Sequence, residues 1–290
     1  MRCCQFLCLL AAIVAVPVSG CRMPGSEGPI SQSLATCRQL SQQGISAAGK
    51  GDIDEAERLL ADAVKSCPID PEARRHYGET LWRQGTRLEA IAQLEEAMRL
   101  AGDDAMLRVR LGQMYLATDQ IGRARRIAEQ AIDLNPKLSD AWAIRGRVMR
   151  AEGKLDRALA DYHRALGYAP NSPEILLETA ELYRRMGRPQ RALESLQSLA
   201  DTYPPGEEPP NVLHLKCLAF EALGRRENGA DAFYRLGQAE YLAGRMAEAN
   251  AAAQRALLLQ PDHPPSRELL GRLQLANRPK PATHGAPLYR

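Results

Sequence analysis

A small residue returns every 34 positions, at Gly44, Gly78, Gly112, Gly146 and Ala180. An alanine follows each one twelve positions later, at Ala56, Ala90, Ala124, Ala158 and Ala192. A period of this length marks one supersecondary unit repeated along the chain, and such a unit buries its apolar face only by stacking on the next. Residues 139–172 show what the unit is. Trp142, Arg145, Gly146 and Met149 fall at i, i+3, i+4 and i+7, the spacing of one helix face, and Gly153 ends that helix. Leu155, Ala158, Tyr162 and Ala165 then build a second amphipathic face. Pro170 stops it, because proline cannot extend a helix and restricts the residue before it. Each unit is a helical hairpin, and the fold class is all-α.

The same punctuation marks the other units. Closing prolines stand at Pro68, Pro136, Pro170 and Pro204, with Gly102 in the second unit; turn glycines stand at Gly51, Gly85, Gly153 and Gly187, with Asp119 in the third. Asp tolerates turn geometry better than most residues. The register breaks after Pro204. The proline-rich run over 204–210 is not helical throughout, a helix is expected over about 212–223, and Gly237 arrives only 20 positions after Cys217. Either a unit has lost most of its second helix, or one helix over 227–243 serves two hairpins. Regular spacing resumes with Gly244, Ala249, Ala256 and Pro261. A last amphipathic helix over 265–275 suits a cap, and the proline-containing residues 277–290 read as a disordered tail.

The pattern of an aromatic, a small residue, a turn glycine, Ala, aromatic, Ala and Pro in residues 139–172 resembles the tetratricopeptide repeat. The resemblance implies a superhelical solenoid of antiparallel helix pairs, with five repeats over 37–206 and an irregular unit, a further repeat and a cap over 207–276. It also implies a concave groove lined by the first helix of each repeat, which takes extended or helical peptide segments. Carried onto this chain, the groove positions include Arg75, Trp82, Arg83, Arg110, Gln113, Arg147, Arg150 and Arg184. Guanidinium groups grip carboxylates bidentately, so an acidic or C-terminal peptide with apolar anchors is the expected ligand. Trp82 lies outside the packing positions of the repeat. It is either a groove hot spot or a contact onto the adjoining hairpin.

The N-terminus bears on location. An apolar run over 6–18 is too short to span a bilayer and reads as the core of a signal peptide over 1–20. It leads into Val18, Ser19, Gly20 and Cys21, which resemble a bacterial lipobox. That resemblance implies cleavage before Cys21 and lipidation of its thiol; each buried CH₂ adds about 0.8 kcal/mol of membrane anchoring. Arg22, in place of the aspartate of inner-membrane retention signals, favours the periplasmic face of the outer membrane. Residues 21–36 hold Pro24, Gly25, Ser26, Gly28 and Pro29 and read as a flexible tether.

Of seven cysteines, three lie beyond Cys21: Cys37, Cys67 and Cys217. Cys37 opens the first hairpin and Cys67 closes it, which brings them together as either a disulfide or two independent thiols. A bridge over this loop is worth on the order of 3 to 4 kcal/mol in the chain-entropy account. Cys217 takes a small-residue position and reads as core.

Other chemistries find little support. The net charge is +3 and aromatics make up 5% of the chain, too little for a basic nucleic-acid footprint or a base-stacking surface. The five histidines, His76, His163, His214, His263 and His284, are scattered, with no HExxH and no phosphate loop. No metal, cofactor, small-molecule substrate or catalysis is expected. The expected function is a lipid-anchored protein-interaction scaffold in envelope assembly. The alternatives are a pilotin-like lipoprotein of a pilus or secretion system, or an accessory subunit of a cell-wall or polysaccharide enzyme.

Overall fold

A computed structural model describes residues 29–276, with side chains from Ser33 onward. The signal peptide, Cys21, residues 22–28 and the tail 277–290 lie outside the described residues. Among the described residues the chain forms fourteen helices and no strand. Ten of them pair into five hairpins: α1 (Pro29–Lys50) with α2 (Ile53–Ser66), α3 (Pro71–Gln84) with α4 (Arg87–Ala101), α5 (Ala105–Ala117) with α6 (Ile121–Leu134), α7 (Ser139–Ala151) with α8 (Leu155–Tyr168), and α9 (Pro173–Arg185) with α10 (Pro189–Ala200). After a nine-residue connection come α11 (Pro210–Ala222), α12 (Arg226–Leu242), α13 (Met246–Leu259) and α14 (Pro264–Ala276).

The helix starts follow from local chemistry. Asp70 precedes Pro71 and accepts hydrogen bonds from the backbone N–H of Glu72 (2.9 Å) and Ala73 (3.4 Å), satisfying donors that the first turn leaves open. Asp104 does the same for Leu107 at 2.9 Å. Turns between paired helices need a residue in the left-handed region. Gly85 provides it at φ 98°, and Asp119 provides it at φ 58°, the one non-glycine at positive φ among the described residues.

The seam within each hairpin is built on close approach, as α7 and α8 show. A Cβ on Gly146 would sit 2.5 Å from Cε1 of Tyr162, so only glycine lets that ring lie flat against α7. Tyr162, Ala158 and Ala165 are fully buried there. The Trp142 indole N–H donates to the Pro136 carbonyl at 2.8 Å while Arg145 and Arg164 stack on its ring. Arg145 in turn pairs bidentately with buried Asp161.

One boundary differs from expectation, and one open alternative is decided. The tether was expected to run to residue 36, but α1 begins at Pro29 and runs for 22 residues. The Gly and Pro residues that break helices end at Pro29, which is itself suited to a first turn, and residues 30–36 contain neither. In the irregular region, α12 is one continuous helix of 17 residues that packs on α11 on one side and on α13 on the other. It closes one hairpin and opens the next, so the helix that serves two hairpins is the arrangement the chain adopts. Phe233 is buried in the shared core with Leu213, Cys217 and Ala252.

Candidate functional site

The first helices of successive hairpins touch one another, α1 with α3, α5 with α7 and α9 with α11, and so line one continuous face. The structure brings Trp82, Arg110 and Gln113 together on this face. Arg110 donates to both carboxylate oxygens of Glu79 (2.6 and 2.6 Å) and to Gln113 Oε1 (3.2 Å). The Trp82 ring is half-buried, packed against the core of α4, α5 and α6, with Arg110 at 6.0 Å and Arg87 at 5.7 Å from its centroid. The indole is therefore both a packing residue and a groove residue.

Farther along the same face, Arg147 is held between two glutamates, donating to Glu178 through Nε and to Glu174 through Nη2, both at 2.7 Å. Burial alone would lower its pKa, but the charges of Glu178 and Glu174 outweigh that and raise it. Arg184 pairs bidentately with Glu181 on its own helix at 2.7 and 2.8 Å, and its guanidinium holds that carboxyl below the usual range. Arg75 pairs with Glu72 and lies beside His76. Burial first, and the Arg75 charge second, push the His76 pKa down. Arg83 is exposed and donates to the Ala48 carbonyl at 3.4 Å.

Arg150 differs from these five. It is half-buried beside Tyr162 and Glu181 and makes no salt bridge or hydrogen bond among the described residues. The neighbouring Tyr162 hydroxyl is buried beside the Glu178 carboxylate, and burial, followed by the Glu178 charge, pushes the phenol well above its usual pKa. The groove is thus a ladder of alternating sign in which Arg83 and Arg150 meet no carboxylate among the described residues, and Arg150 makes no hydrogen bond either. Two rungs share one spacing, since Glu79 meets Arg110 and Arg147 meets Glu178, each 31 residues apart. Glu174 and Glu178 are the carboxylates that groove positions alone did not point to.

At its N-terminal end the groove opens into a mainly apolar cavity of about 1030 Å³ between α1 and the α2–α3 turn, lined by Leu34, Ile45, Pro68, Ile69 and Pro71, with Arg38 at its edge. Cys37 and Cys67 meet beneath its rim as free thiols. Cys217 is also free and fully buried, which pushes its pKa up to about 12. Among the described residues no group of three or more His, Cys, Asp or Glu side chains is placed to hold a metal, and no helix is long and apolar enough to cross a membrane.

Known proteins share this architecture. A bovine BBSome complex member, BBS4, is 27% identical over 156 residues, covering 54% of this chain and 30% of that protein. Human tetratricopeptide repeat protein 33 is 26% identical, over 52% of this chain and 55% of its own length. Cellulose synthase operon protein C of Pseudomonas fluorescens (strain SBW25) is 26% identical over 235 residues, or 78% of this chain, but these are 17% of that protein. The chain thus spans between about a sixth and about half of the length of these relatives. Among solved structures, Pseudomonas aeruginosa PilF superposes with a TM-score of 0.57 at 16% identity, over 83% of this chain and 99% of PilF. A MamA protein superposes at 0.51 with 23% identity, over 57% of this chain and 91% of its own. At these identities the likeness is one of fold. Tetratricopeptide repeat models match residues 41–105, 80–138, 109–173, 149–212 and 219–267, so the chain belongs to the tetratricopeptide repeat family.

Proposed function

We propose that this chain is a non-catalytic scaffold, anchored in a bacterial envelope by a lipid on Cys21, that holds a peptide segment of a partner protein along the face of α3, α5, α7 and α9. The observation that carries the reading is Arg150, the one of these six groove arginines with neither a salt bridge nor a hydrogen bond among the described residues. Arg75, Arg110, Arg147 and Arg184 are neutralised by glutamates of the same face, so a uniformly acidic ligand would have to displace them. A segment with apolar anchors and a single carboxylate fits better, its carboxylate meeting Arg150 and an apolar group resting on Trp82.

Replacing Trp82 and Arg150 together by alanine is expected to cut capture of crosslinked native partners about tenfold or more, with helicity by circular dichroism unchanged. Equal capture by the variant would place the binding surface elsewhere. Arg150 is chosen over Arg110 because removing Arg110 would strand the Glu79 carboxylate. For the anchor, Cys21→Ala is expected to abolish a lipid-dependent shift in gel mobility. A shift that survives the substitution would refute lipidation at this residue.

A further inference from the structure

The cavity at the N-terminal end of the groove has its rim tied down by two thiols. Ser33, on the first turns of α1, donates through Oγ to the Ser66 carbonyl at 2.7 Å. At the same residue, the Cys67 thiol donates to the Ser33 carbonyl at 3.6 Å. The Cys37 thiol donates to Asp70 Oδ2, also at 3.6 Å, and Asp70 caps α3. Cys37 is fully buried with Ala63 and Ala73, whereas Cys67 is half-exposed and lines the cavity with Leu34. Cys67 packs against the small buried cluster that Cys37 forms with Ala63 and Ala73. Burial, followed by contact with Cys67 and then the Asp70 charge, pushes Cys37 up to about 12.

We propose that Cys37 and Cys67 are a dithiol–disulfide pair whose state sets how firmly the rim of this cavity is held. The oxidant is a disulfide of the thiol–disulfide exchange class. Cys67, the exposed partner, attacks one donor sulfur; the other donor sulfur departs and carries off the Cys67 proton as a thiol. Cys37 then attacks the Cys67 sulfur of the mixed disulfide. Its proton passes by way of the Asp70 carboxylate to the second departing donor sulfur. Two protein thiols and one donor disulfide become one protein disulfide and two donor thiols, so two electrons and two protons are transferred in balance.

Bridging consumes both S–H donors. The hydrogen bond from Cys67 to the Ser33 carbonyl is lost, and so is the one from Cys37 to Asp70. A covalent tie one turn deeper in α1 replaces them. Ser33 keeps its Oγ bond to Ser66 but loses the thiol on its carbonyl, while α1 is fixed at Cys37. The cavity therefore gains a looser rim over a firmer floor. This goes beyond the scaffold reading and holds whichever peptide the groove takes, because its test needs no partner.

The full chain is equilibrated in glutathione buffers of rising oxidised fraction, alkylated, and followed by peptide mass spectrometry together with amide hydrogen exchange. The expected result is joint loss of alkylation at Cys37 and Cys67, with Cys217 unaffected. The amides of 33–36 should then exchange several-fold faster in the oxidised chain. Cys67→Ser is expected to remove the redox dependence of that exchange, and Cys217→Ser to leave it intact. Separate alkylation of Cys37 and Cys67 in the most oxidised buffer would overturn the proposal, as would a bridge that leaves exchange at 33–36 unchanged.

Discussion

The hairpin α7–α8 and the run α11–α12–α13 carry the same load with different parts. In α7–α8 one glycine, Gly146, admits one fully buried ring, Tyr162, and each helix keeps a single role. In the later run α12 must face α11 and α13 at once, and it carries two close-approach glycines. A Cβ on Gly229 would come within 2.9 Å of Leu259, and one on Gly237 within 2.9 Å of Leu269. The connection before α11 also holds a buried carboxylate, Glu208, which accepts from Lys216 Nζ at 2.6 Å and lies against Arg235 of α12. Where the register is regular, apolar shape joins the two helices of the hairpin together with one buried ion pair, Arg145 with Asp161. Where a helix has been shared, charge fastens the loop that the missing helix would have covered.

The largest effect that tests this contrast is on the regular side. Tyr162→Ala removes a fully buried aromatic from a site whose backbone is already at its closest approach, and should destabilise the chain by about 4 kcal/mol in urea unfolding. Because repeat arrays couple mainly through neighbours, loss of hydrogen-exchange protection should concentrate in α5–α10 and reach α12–α14 weakly. Uniform loss from α1 to α14 would mean that the two regions are one cooperative block, and the contrast would carry no energetic weight.

The sequence showed the regular part almost completely, because a 34-residue period fixes which residues face the seam. Gly146, Ala158, Tyr162 and Ala165 fall where that period puts them, and Asp119 takes the left-handed turn its position demands. The groove side chains were legible as positions but not as pairs. That Arg110 meets Glu79, or that Arg147 meets Glu178, depends on how one hairpin is offset against the next, a tertiary quantity that helical periodicity within a hairpin does not contain. The start of α1 was misplaced because composition averages over a window, whereas a helix begins at the last breaker, Pro29. The shared helix was one of two open arrangements. Phe233 fits the pattern in either frame, and its burial between α11 and α13 is decided by packing.

The smaller and more discriminating test is on the irregular side. Glu208→Gln keeps the shape and one hydrogen bond to Lys216 but removes the negative charge, leaving the Lys216 ammonium buried beside Arg235 with its counterion gone. Stranding one member of a buried pair costs about 3 kcal/mol, whereas replacing the whole pair by apolar groups is often neutral. The single variant should therefore lose stability in urea unfolding with early exchange of α11 and α12, and the double variant Glu208→Leu with Lys216→Met should regain most of it. If the double variant stays as unstable as the single, the carboxylate is holding the connection through its geometry rather than its charge. The difference between the two regions would then lie in loop shape alone. If it recovers, α12 can serve two hairpins on apolar packing, and the buried charges fix only how the preceding loop is seated on α11 and α12.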